Sequence, residues 1–410
     1  MSIFIFAKTI ADMFYSVAVL DYILMAIAMI LFVLGCRRIH ALHIEDYLAF
    51  AYMILLCLTM GRTGTGFNHF VKMLSGFMLF FIGRAYFKDV HNAEKALVLA
   101  NYIVVFVNLA LFVAGVGFIT WGSASTFKGL YFYKSDFSIA MIYALSAFMF
   151  FGNPEIWVAV LEWGIISYLV LRSNTRIALI ILVLVFGLWI LYLREKKTNA
   201  PLKINLKYLL AALGVLVAAV FIIIKVLSLP VFDQYNFLSF EVSSVADLFN
   251  SANTQGRNLI WNNLLSKYRR ATWLQKAIGI DFISDYWNGF DAHNAYLKIL
   301  FSTGYIGLAV FICFLLSYIF RLNKLKDRSL FYFNLSILLT FIVQSISQSS
   351  IDFTQMTWVF LFFAGCAVSE SCHGDTMEYR FNKRLRIVAK KKKPNKSELP
   401  FSTKIQSEES

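Results

Sequence analysis

The sequence predicts an all-α polytopic membrane protein with about 11–12 transmembrane helices and one large outward loop. Three observations predict it. Hydrophobic residues make up 59% of the 410-residue chain and charged residues only 15%, where a soluble domain carries about 25% charged residues. Mean hydropathy is +0.66, with 41 Phe against 5 Pro. Apolar stretches of spanning length recur along most of the chain. A secreted enzyme, a cytosolic enzyme and a soluble nucleic-acid binder are excluded, despite a net charge of +14.

A spanning helix needs about 20 mostly apolar residues. Eleven stretches qualify, near 18–35, 46–61, 68–86, 97–120, 137–152, 155–171, 176–193, 207–228, 295–320, 330–347 and 355–371. The fifth and sixth are separated only by Gly152-Asn153-Pro154-Glu155, a helical hairpin turn. Residues 1–16 are apolar but short, an interfacial helix or a twelfth span merged with the first. Arg37/Arg38, Arg84/Lys88/Lys95, Arg194/Lys196/Lys197/Lys203/Lys207 and Arg321/Lys324/Lys326/Arg328 recur at every second connection. The positive-inside bias makes that face cytoplasmic. The tail from His373 joins it, with ten Lys/Arg against five Asp/Glu; its lysine run suits anionic lipid on the inner leaflet. The chain therefore divides into an N-terminal bundle (1–228), an outward loop (229–292), C-terminal spans (293–372) and a basic tail (373–410).

Other classes of chemistry find little support. Cys36, Cys57, Cys313, Cys366 and Cys372 lie in apolar spans or beside basic segments, without disulfide or CxxC spacing. The six His are scattered, so neither a metal nor another cofactor is expected. No basic, cleavable leader opens the chain, and no internal repeat is evident.

The outward loop, about 64 residues long, is too long for a turn and should carry structure of its own. Within it Trp261, Leu264, Leu265 and Tyr268 share one helical face. They predict an amphipathic helix over the bundle, N-capped by Asn253 or Thr254. Asp291-Ala292-His293-Asn294-Ala295-Tyr296-Leu297 opens the ninth span, which places His293 in its first turn.

Positive charge on the outward side runs against the topology bias. Arg62, Lys128, Lys134, Arg172, Arg176 and Arg257 all stand there. For any one of them, interfacial snorkelling suffices; together, with one histidine, they point to a polyanionic lipid. Arginine suits a diphosphate because its fork makes two parallel charge-assisted hydrogen bonds and keeps its proton. A histidine at a helix N-terminus is held neutral by the dipole, the form a general base requires. Glu162, mid-span in the sixth helix, is expensive there and expected either to pair with a basic residue or to be protonated.

Four segments, in order, resemble the O-antigen ligase and polymerase superfamily, the Wzy/WaaL-type membrane glycosyltransferases. Gly129-Leu130-Tyr131-Phe132-Tyr133-Lys134-Ser135-Asp136 is similar to its Gly-Leu-Phe-x-x-Lys-Asn segment, with Ser-Asp in place of Asn. Ser173-Asn174-Thr175-Arg176-Ile177-Ala178 resembles its Ser-x-(Ser/Thr)-Arg-x-Ala segment. Gly256-Arg257 with Trp261 resembles its Gly-Arg-x-x-x-Trp. His293-Asn294-Ala295-Tyr296-Leu297 with Gly304 and Gly307 resembles its His-Asn-x-(Tyr/Phe)-Leu ending. Gly279-Ile280-Asp281 departs from the family's Gly-x-Gly.

The resemblance implies a GT-C-like, metal-independent, inverting glycosyltransferase of lipopolysaccharide or other polysaccharide biosynthesis. It would act on undecaprenyl-diphosphate-linked oligosaccharide at the periplasmic face of the bacterial inner membrane, embedded in the lipid bilayer, with a chain-length regulator as a further partner and no nucleic acid. Arg176 and Arg257 would hold the diphosphate and His293 would activate the acceptor hydroxyl. Lys128, Lys134, Arg172, Arg62, Asn294 and Tyr296 would contact substrate. Polymerase, transferring glycan to another lipid-linked repeat, is the first expectation; ligase, transferring it to lipid A–core, is the second. A flippase should carry its charges along a central cavity and repeat its halves; here the cations gather at one face and the halves differ.

Overall fold

A computed structural model describes residues 1–14, 17–39, 41–121, 124–204, 257–282, 292–352, 355 and 357–371. These form α1 (Ser2–Ala11), α2 (Ala18–Cys36), α3 (Ile44–Thr63), α4 (Phe67–Ala85), α5 (Val90–Val113), α6 (Lys134–Ala147), α7 (Ile156–Arg172), α8 (Arg176–Thr198), α9 (Arg257–Arg270), α10 (Trp273–Ile278), α11 (Ala295–Leu322) and α12 (Arg328–Gln344). A last helix, α13, spans Thr357–Ser371. Strands β1 (Phe118–Trp121) and β2 (Ala124–Phe127) pair as one antiparallel hairpin.

Among the described residues, five helices are long and apolar enough to cross a membrane: α3, α5, α6 with its continuation to Gly152, α8 and α11. Large apolar side chains face outward, such as Phe106, 72% exposed, which suits lipid rather than water. The chain is an all-α membrane protein. Ten of the expected spans fall on helices; the eighth, 207–228, lies outside the described residues, as do Asn253 and Thr254 and the basic tail.

Two expectations are corrected. α5 begins at Val90 and ends at Val113 rather than running from 97 to 120, because Gly115 and Gly117 adopt positive φ and the apolar residues beyond turn into the hairpin. α1 is set apart from α2 by the non-helical Val17 (φ −94, ψ 77) rather than merged with it. Ten residues are half a span, and α1 buries Phe4, Ile5, Lys8 and Thr9. Its Lys8 pairs with Asp12, whose other oxygen accepts from the Trp358 indole N–H at 2.7 Å.

At the end expected to be cytoplasmic, basic residues are matched to carboxylates. Arg84 holds Asp46 through two bonds of 2.8 Å, Arg321 holds Glu45 at 2.9 Å, and Arg328 holds Glu195 at 3.0 Å. Near this end α4 and α13 come into backbone contact, since a Cβ on Gly83 would lie 2.0 Å from the Phe362 carbonyl.

Candidate functional site

At the opposite end, cations meet one another. Lys134 is the first residue of α6 and Arg176 the first of α8. Ser138 and Ser173 join their hydroxyls at 2.7 Å, and Ser138 also donates to the Lys134 carbonyl at 2.8 Å. Thr175 donates to that same carbonyl at 3.4 Å. The left-handed Asn174 (φ 55) makes the α7–α8 turn that carries these groups. The Ser-Asn-Thr-Arg run is thus a clamp that fixes Arg176 beside the start of α6.

α9 brings the third cation. Its buried stripe is Ile260, Leu264 and Tyr268, one residue per helical turn, packed on Ala292, Leu300 and Phe301. Trp261 and Leu265, expected on the buried face, flank it half-buried. Burial and then the Arg176 guanidinium hold the Arg257 pKa below the usual arginine range. Arginine nevertheless stays charged at neutral pH. Lys134 feels both Arg257 and Arg176 as neighbouring like charges. All three are half-buried.

This arrangement is costly. Like charges repel, and they do so more strongly where burial lowers the effective dielectric constant. Lys134 and Arg176 also sit at the positive ends of helix dipoles, where cations are disfavoured and anions bind. A polyanion relieves both penalties at once.

His293 is not in the first turn of α11, as the sequence suggested. The helix starts at Ala295 and is capped by Asn294, whose side chain accepts from the Leu297 N–H. His293 precedes the cap with a left-handed φ of 46, a conformation histidine adopts more readily than most residues. Its flanks are fixed: the Trp261 indole donates to the Ala292 carbonyl at 2.9 Å, and the Ala295 N–H donates to the Ser345 carbonyl at 2.9 Å. The helix that carries Arg257 therefore also anchors the segment that carries His293.

The remaining expected residues meet groups of the protein itself. Asn294, besides capping, donates to the Ile346 carbonyl at 3.1 Å, and the Tyr296 hydroxyl donates to the Ile342 carbonyl at 3.1 Å. Arg62 donates to the Gly279 carbonyl and, at 2.9 Å, to that of Ile280. Lys128 donates to the Phe132 carbonyl at 3.3 Å. Arg172 is exposed and lies 5.7 Å over the Phe112 ring. Glu162 accepts from the Tyr102 hydroxyl at 2.9 Å.

Sequence reasoning missed a second polar group near the same end. Asp352 receives His69 Nδ1 at 2.7 Å and the Lys298 ammonium. Lys298 and Asp352 are each 4% exposed. The signal was available, since an ionisable residue inside or beside an apolar span is expensive and so suspect.

No family model matches the chain, and no curated protein sequence matches it. The chemistry of the site is therefore read from its own residues.

Proposed function

We propose that the protein is a membrane glycosyltransferase that moves a glycan from undecaprenyl diphosphate to a hydroxyl of another lipid-linked repeat, at the periplasmic face of the bacterial inner membrane. The observation that carries this is the meeting of Lys134, Arg176 and Arg257, three cations from three helices, close to the pinned His293 segment. The acceptor oxygen attacks the anomeric carbon, the bond to the diphosphate oxygen breaks, and the acceptor proton passes to His293. The departing diphosphate gathers charge against fixed cations, and stabilisation of this kind lowers a barrier by several kcal/mol. The activated donor arrives on its lipid, so no nucleotide site is required, and attack from the face opposite the leaving group inverts the anomeric centre.

The test is a gel of surface glycan from a strain deleted for this gene. Lipid A–core bearing a single repeat supports polymerase. Bare core with long lipid-linked polymer accumulating in the membrane moves the assignment to ligase, and unchanged glycan rejects both. Transfer by the purified protein should persist in EDTA; a strict divalent-metal requirement would contradict the mechanism.

A further inference from the structure

We infer that the segment from Gln344 to Asp352, which follows α12, is a binding site for a sugar ring, an inference that rests on the reading of the protein as a glycan transferase and deepens it. From Gln344, where α12 ends, the chain makes successive turns. The Ser347 N–H donates to the Gln344 carbonyl at 3.0 Å and the Asp352 N–H to the Ser349 carbonyl at 3.2 Å. Gln344, Ser349, Ser350 and Asp352 are all at least nine-tenths buried. Both carboxamide atoms of Gln344, the hydroxyls of Ser345, Ser349 and Ser350, and Asp352 Oδ1 have no hydrogen-bond partner among the described residues. Leaving one buried polar group unsatisfied costs about 1–3 kcal/mol, and folded proteins carry few of them. Six such atoms within nine residues find no partner among the described residues.

The chemistry of the set selects the ligand. The charge of Asp352 is compensated by Lys298, and its Oδ2 is engaged by His69. What remains is a carboxamide with donors and acceptors, three hydroxyls that do both, and one carboxylate oxygen that accepts. A phosphate, which only accepts when ionised, would meet that carboxylate oxygen unfavourably. A ring of hydroxyls, which both donates and accepts, matches the chemistry of this set. The His69 side chain is 31% exposed and stands where the group meets its surroundings. The location fits too: Ser345 and Ile346, which follow Gln344, receive the hydrogen bonds of Ala295 and Asn294, next to His293. A sugar held here lies beside the proposed base.

The experiment uses the purified full-length protein in detergent or nanodiscs, with the free oligosaccharide repeat released from the source strain's lipid-linked glycan as the probe. The probe should raise the Tm of the wild type and of Arg176→Ala and should not raise that of Gln344→Leu, while Ser350→Ala should need about tenfold more probe for the same shift. Without probe, Gln344→Leu should melt at or above the wild-type temperature, because an apolar replacement for an unpartnered polar group is neutral or stabilising. A Tm shift that survives in Gln344→Leu, no shift in any protein, or a Gln344→Leu protein that melts well below wild type would each overturn the site; the last would mark Gln344 as scaffold. A parallel transfer assay separates the two proposals. A Tm shift without transfer leaves the sugar site standing and removes the transferase reading. Where transfer occurs, a KM raised about tenfold for acceptor in Ser350→Ala, the loss of roughly one hydrogen bond, places the acceptor sugar here; the same rise for donor places the donor sugar.

Discussion

Arg176 and His293 differ in how they are held, and that difference sets what each substitution should do. Arg176 stands on a helix start clamped by Ser138, Ser173 and Thr175, so removing its side chain leaves the backbone arrangement intact. Arg176→Ala should insert and purify normally yet lose glycan transfer, measured as product from lipid-linked donor. Wild-type product from this variant would remove Arg176 from the site. His293 occupies a left-handed conformation that non-glycine residues adopt at a cost of about 1–3 kcal/mol. Asparagine tolerates that region better than alanine does. His293→Asn should therefore keep the fold while lowering the transfer rate by about 10²–10⁴, the usual worth of a general base. Retained activity in His293→Asn would assign the imidazole a structural role. At this scale the sequence singled out Lys134, Arg176, Arg257 and His293. It also proposed Arg62, Lys128, Arg172, Asn294 and Tyr296, but a residue's type and side of the membrane do not reveal which protein neighbours it meets.

Among the elements, the seam between α10 and α11 positions the loop. α11 breaks at Gly304, whose φ is 68 and ψ −168. The Phe301 carbonyl released near this break accepts from the Ile280 N–H at 2.6 Å. A Cβ on Gly304 would lie 2.3 Å from the Ala277 carbonyl oxygen, and one on Gly279 would lie 2.3 Å from that of Ser302. Thr59 and Arg62 of α3 then bind the carbonyls of Ile278 and Ile280 at 2.9 Å each. Gly304→Val should destabilise by about 1–3 kcal/mol from its backbone conformation and ~1–3 kcal/mol from overpacking, read as a lowered Tm. Gly164→Ala, where a Cβ meets nothing within 4 Å, should leave Tm unchanged or raised; equal effects at both positions would refute the seam. The amphipathic pattern of α9 was legible in the sequence. The capping box of α10, from Thr272 to Gln275, was also written there as Thr-x-x-Gln but passed unread inside a long polar loop.

Over the whole molecule, charge is partitioned between the two ends. Arg84, Arg321 and Arg328 sit against carboxylates at one end, whereas Lys134, Arg176 and Arg257 crowd together at the other. Breaking a buried pair leaves an uncompensated charge and costs about 3–5 kcal/mol. Arg84→Ala should therefore lower Tm sharply, since Asp46 is fully buried, and adding Asp46→Leu should recover much of the loss. If Arg84→Ala melts like wild type, the matched end contributes nothing to stability. None of these substitutions touches the outward cations, so residual activity per folded molecule should stay near wild type in the double variant.

Composition, hydropathy and the alternation of Lys and Arg determined by themselves that this chain is a helical membrane protein, because the spanning signal is local: a run of apolar residues must be helical in lipid to satisfy its own backbone. The same counts proposed a sidedness and nominated outward cations. Only the tertiary structure decided which of them converge. The starts of α6, α8 and α9 are far apart along the chain, and their meeting depends on helix packing, a Ser–Ser hydrogen bond and a glycine seam between distant segments. It likewise decided that Asp352 faces Lys298 and His69, since a buried carboxylate is tolerated only where the fold delivers its partners.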